Sequence, residues 1–108
     1  MIRHCVFIRF KPTISSAYKA ELFNEIAALQ NRLPGIAAVH IGANVSPEAG
    51  MDKGFGEGFI VDFTDSFARD AYLDDPAHRV TGARLAAAAE GGLAGILVYD
   101  LEIDDRPA

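Results

Sequence analysis

An α+β domain, with four antiparallel strands and its helices on one sheet face, is the fold this sequence predicts. Three observations carry it. Four short segments are rich in β-branched and aromatic residues, helical stretches separate them, and the order reads β-α-β-β-α-α-β. That order is the split βαβ, ferredoxin-like arrangement (βαββαβ) with its second helix broken in two. The 108 residues suit a single domain spanning 1–108, and no internal repeat divides them.

Residues 2–10 alternate as a strand, with Ile2, His4, Val6, Ile8 and Phe10 on one face and Arg3, Cys5, Phe7 and Arg9 on the other. Both faces hold apolar groups, so the strand is expected to be covered on both sides. Lys11-Pro12 ends it. Ser15 or Ser16 then caps a helix whose stripe is Tyr18, Leu22, Ile26, Leu29 and Leu33, widened by Phe23 and Ala27. Leu33-Pro34-Gly35 stops it.

Residues 36–42 read as a second strand, with Val39 and Ile41 alternating against Ala38 and His40. Residues 44–58 hold four glycines and read as a long connection. Residues 59–63 form the third strand, with Phe59, Val61 and Phe63 sharing a face. Asp65 or Ser66 caps a short helix through Ala68, Ala71 and Tyr72, which Asp75-Pro76 ends. A further helix over 79–90 closes at Gly91-Gly92, and 96–101 is the fourth strand. The tail, from about residue 103, reads as frayed.

Composition narrows the partners. A net charge of −5 with ten scattered basic residues opposes a nucleic-acid partner or a membrane surface. No apolar run approaches the roughly 18 residues of a spanning helix. The lone Cys5 makes no intramolecular disulfide, and no zinc-ligand spacing occurs. A reducing, cytoplasmic setting without metal or cofactor fits best.

With both helical regions on one face, the other sheet face is bare. It would hold Cys5, Phe7, Ile60, Leu97 and Tyr99, together with His40, Arg9 and Asp62. An apolar face of that size implies a homodimer, sheet against sheet. Arg9 and Asp62 are expected to pair across it, since buried charges need partners.

The stretch Tyr72-Leu73-Asp74-Asp75-Pro76-Ala77-His78 sets two proton-moving groups six residues apart at a proline corner. The His78 imidazole could act as a base at neutral pH, and the Tyr72 hydroxyl could donate to an oxyanion. The plain alternatives are a histidine bonded to a loop carbonyl and a core-edge aromatic with a wet hydroxyl. His4 faces the helices as either a satisfied core residue or the opposite wall of a pocket.

Several marks together resemble the stress-responsive A/B barrel, or dimeric α/β-barrel, family. They are Ile2 through Val6, Leu33-Pro34-Gly35-Ile36, Gly54 through Phe59, Tyr72-Leu73 with Asp75-Pro76-Ala77-His78, and Val98-Tyr99-Asp100. The resemblance implies a sheet-to-sheet dimer. Most such domains have no assigned activity, though a plant polyketide cyclase among them works without a cofactor. Its tyrosine and histidine match Tyr72 and His78, and a pocket histidine matches His4. Its apolar lining matches Val6, Ile8, Leu22, Phe23, Ile26, Val39, Phe59, Ile96 and Val98. The chain departs at Glu57, where much of the family has histidine, and at Gly56 and Thr81.

Three functions follow as expectations. The first is binding of a small apolar or carbonyl-containing molecule between sheet and helices. The second is a cofactor-free cyclase or lyase with His78 as general base and Tyr72 as oxyanion donor. The third is a purely structural assembly domain.

Overall fold

A computed structural model describes residues 1–104 of the chain. The elements are β1 (Ile2–Ile8), α1 (Ser16–Ala28), β2 (Ile36–Ala43), β3 (Glu57–Phe63), α2 (Ser66–Asp74), α3 (Pro76–Ala88) and β4 (Ile96–Glu102). The strands form one antiparallel sheet in the order β2-β3-β1-β4. This is the ferredoxin-like α+β arrangement that the element order predicts.

Alternation sorts the sheet into two faces. His4, Val6 and Ile8 of β1 and Phe59, Val61 and Phe63 of β3 are buried under the helices. Leu22, Phe23 and Ile26 of α1 and Tyr72 of α2 close that core. On the other face Leu97 and Tyr99 stay exposed, which is the expected bare surface. Cys5 and Asp62 are buried even there.

Several boundaries shift for physical reasons, and β1 ends at Ile8 rather than at residue 10. The last helix begins at Pro76 rather than 79, because Asp75 caps it and proline at the first helical position sacrifices no hydrogen bond. It ends at Ala88, not 90, because Ala89 turns extended and bridges Phe10. The long connection is likewise shortened, since β2 runs to Ala43 and β3 starts at Glu57.

The expected Arg9–Asp62 pair is corrected. Arg3 lies directly opposite Asp62 in the β1–β3 register and grips it with a fork, Nε to Oδ1 at 2.8 Å and Nη2 to Oδ2 at 3.1 Å. His40 Nε2 lies 3.1 Å from Oδ2. Arg9 lies past the end of that pairing; its Nη2 donates to the Ala94 carbonyl and its guanidinium covers the Phe55 ring. The expected frayed tail lies, beyond Asp104, outside the described residues.

Candidate functional site

The corner between α2 and α3 is built by one carboxylate. Asp75 leaves helical geometry at ψ 130°, as a residue before proline must, and its Oδ2 accepts the His78 backbone N–H at 3.1 Å. Its own N–H donates to the Tyr72 carbonyl at 3.2 Å. Arg32, just past α1, clamps the same carboxylate with Nη1 to Oδ1 at 2.8 Å and Nη2 to Oδ2 at 2.7 Å. The Arg32 hydrogen bonds, against the opposing effect of burial, hold the Asp75 carboxyl down to about 2.

This corner brings Tyr72 and His78 together. Their ring centroids lie 4.2 Å apart, and Tyr72 also meets His4 at 5.7 Å and Phe63 at 5.1 Å. Tyr72 is fully buried, while His78 is half-buried. Each holds a polar atom that is shut from solvent and makes no hydrogen bond among the described residues: the Tyr72 hydroxyl and His78 Nδ1. Leaving such a group unpaired costs roughly 1–3 kcal/mol. Burial pushes the Tyr72 hydroxyl well above its usual value, so it stays a protonated donor. Burial also pushes the His78 imidazole below its usual value, with the Leu73 carbonyl pulling the other way. At neutral pH the ring is therefore uncharged and able to accept a proton.

Behind them His4 is fixed by a chain of charges. Asp100 of β4 sits directly opposite His4 and takes Nδ1 at 2.6 Å. Its other oxygen accepts Arg69 Nη1 at 2.6 Å. Burial pushes the Asp100 carboxyl up, but the hydrogen bonds from His4 and Arg69 prevail and hold it below its usual range. An ionised carboxylate only accepts, so His4 Nδ1 carries the proton.

The sequence-derived lining divides. Val6, Ile8, Leu22, Phe23, Ile26 and Phe59 are buried in the core cluster that also holds Tyr72, with Val39 and Ile96 packed against it. Val98 departs, lying 53% exposed on the edge strand β4, beyond the cover of the helices. On the opposite face, Phe7, His40, Ile60 and Leu97 line a separate cavity of about 530 Å³ under the 44–56 connection. Arg32 and Arg69 carry no signal in the sequence, where Asp75 reads only as a helix stop and Asp100 only as part of the Val98-Tyr99-Asp100 stretch. A charge at Asp100, in step with Ile96 and Val98 on the helix-facing side, was the available signal.

Sheet order, helix placement and the buried corner define a ferredoxin-like α+β protein. The model described as "Stress responsive A/B Barrel Domain" matches residues 2–103, and the chain belongs to that family. It is similar to a dimeric ferredoxin-like protein of unknown function from Jannaschia sp. CCS1. That pair shares 32% identity over 94% of this chain and 98% of the other, with a TM-score of 0.85. Two more distant structures share the fold alone. Hydroxynitrile lyase from Passiflora edulis is 20% identical over 99% and 96% of the two chains, TM-score 0.82. A cofactor-independent oxygenase from Streptomyces nogalater is 16% identical over 97% and 94%, TM-score 0.73. No curated protein matches the chain. Among the described residues, no helix is long and apolar enough to cross a membrane.

The Asp75 clamp makes a signed prediction. Its folded value near 2 lies below the ordinary 3.8, so its contribution is present above about pH 4 and is lost as pH falls toward 2. Asp75→Asn is expected to lower the melting temperature at pH 7, with the gap to the parent narrowing from about pH 4 toward pH 2. Thermal melts across that range check it, and a gap that stays constant contradicts it.

Proposed function

We propose that the chain binds a small carbonyl-containing molecule between the helices and the sheet, with the Tyr72 hydroxyl on the carbonyl oxygen. The observation that carries the proposal is a pair of buried atoms, Tyr72 Oη and His78 Nδ1, that find no hydrogen-bond partner among the described residues. A purely structural domain gains nothing from orphaning both. A ligand oxygen accepting from Tyr72 supplies the missing bond, and the Phe63 ring beside Tyr72, within the apolar core, favours an apolar body.

A second reading, cofactor-free proton abstraction, is favoured by the uncharged state of His78. A neutral imidazole beside a carbonyl bound to Tyr72 is placed to take a proton from the adjacent carbon, and the tyrosine would then stabilise the enolate oxygen. His4, held by Asp100, supports the Tyr72 ring from its other side.

The same reading places a second copy of the chain on the bare face. Leu97 and Tyr99 are exposed there by more than two-fifths, and the Jannaschia relative is described as dimeric. Burying them against their symmetry mates would remove apolar surface from water at about 25 cal/mol per Å². Cys5, Phe7, Ile60, Asp62 and His40 would fall inside that interface.

Two experiments test these points. Tyr72→Phe removes a hydroxyl with no partner, so its melting temperature is expected to equal or exceed the parent's. Its affinity for a methyl ketone such as 2-heptanone, measured by ligand-observed NMR, is expected to fall about fivefold. In heavy water, His78→Gln should retain that binding and lose any enhanced α-deuteration of the ketone. A destabilised Tyr72→Phe protein with unchanged ketone affinity contradicts the binding site. For the dimer, Leu97→Asp is expected to sediment as a monomer where the parent sediments as a dimer; identical sedimentation contradicts that interface.

A further inference from the structure

Glu57 opens β3, and the two-residue period of the strand puts it on the same face as Phe59, Val61 and Phe63, toward α1. Six residues of extended chain separate it from Phe63, the ring that meets Tyr72. That spacing is roughly 20 Å at about 3.3 Å per residue. Phe59 and Val61 are buried between the two ends. The two places are therefore distinct, and what happens at one does not require the other.

The Glu57 carboxylate is only half used. Oε1 accepts Lys19 Nζ at 3.2 Å, while Oε2 is shut from solvent and makes no hydrogen bond among the described residues. Lys19, in the second turn of α1, also lies 5.1 Å over the Phe10 ring, which fixes its ammonium at this spot. A cavity of about 310 Å³ opens beside the pair, lined by Ser16, Lys19, Phe23, Asn24, Ile41 and Glu57. That volume falls within the roughly 300–1,000 Å³ of small-molecule sites.

From this geometry we infer a second ligand site that reads a neutral hydroxyl carried on an apolar body. The chemistry follows from charge and bonding. An ionised carboxylate accepts and cannot donate, so Oε2 calls for a donor. Lys19 already balances the charge of Glu57; a cationic ligand would leave an excess charge in a partly dry site, and an anionic one would face Oε2 itself. A hydroxyl donates without disturbing the balance. Phe23 and Ile41 supply the apolar walls for the remainder of the molecule.

The test compares benzyl alcohol with benzyl methyl ether, which keeps the ring and oxygen and lacks the donor. In amide NMR titrations of the parent protein, the alcohol is expected to shift Ser16, Lys19 and Gly42. It is also expected to bind about tenfold more tightly than the ether, the scale of a buried acceptor left unpaired. In Glu57→Met the two probes are expected to bind alike. Equal affinities in the parent, or shifts confined to residues elsewhere, overturn the inference. The comparison within the parent decides even if Glu57→Met fails to fold.

Discussion

The candidate site depends on the Asp75 carboxylate. One residue stops α2, caps α3, and is clamped by Arg32 from the turn that follows α1. Three helical segments are thereby tied at a point that is itself almost wholly buried. The side chains on either side, Tyr72 and His78, have little freedom to separate, because their backbones are fixed by the same carboxylate and by the Tyr72 carbonyl bond. An exposed ion pair contributes little to stability, but a forked guanidinium on a buried carboxylate is of the strong kind. It fixes geometry more than it adds energy.

That fixed geometry is what makes the two orphaned atoms meaningful. Buried polar groups in folded proteins nearly always find partners, and here two neighbours at one corner find none among the described residues. Burial acts on them in opposite directions: it keeps the phenol protonated and the imidazole unprotonated. One group is left able to donate a hydrogen bond and the other able to take a proton. The opposite face of the sheet is governed by different physics, with apolar side chains exposed around an Arg3–Asp62–His40 cluster.

Much of the fold was legible in the sequence because its signals are local. Period-two alternation in Ile2–Ile8 and Phe59–Phe63, and the Leu22–Ile26–Leu29 stripe, need no knowledge of the partner segments. Tyr72 and His78 were visible as a pair because the proline corner holds them six residues apart. What escaped depends on register. Nothing local says that Asp62 faces Arg3 rather than Arg9, or that Asp100 faces His4; antiparallel pairing decides both. Asp75 was read as a stop and is equally a start, and Arg32 reaches it from 43 residues away. Val98 has the right parity and the wrong strand, since β4 is an edge that the helices do not cover there.

The central claim is that the corner holds an uncharged, proton-accepting His78 beside a buried Tyr72. Nitrogen-15 NMR of the imidazole side chains, followed through a pH titration, measures it most directly. His78 is predicted to titrate below the ordinary histidine value of 6.5 and to be neutral at pH 7. A His78 that titrates at or above 6.5 would contradict the account.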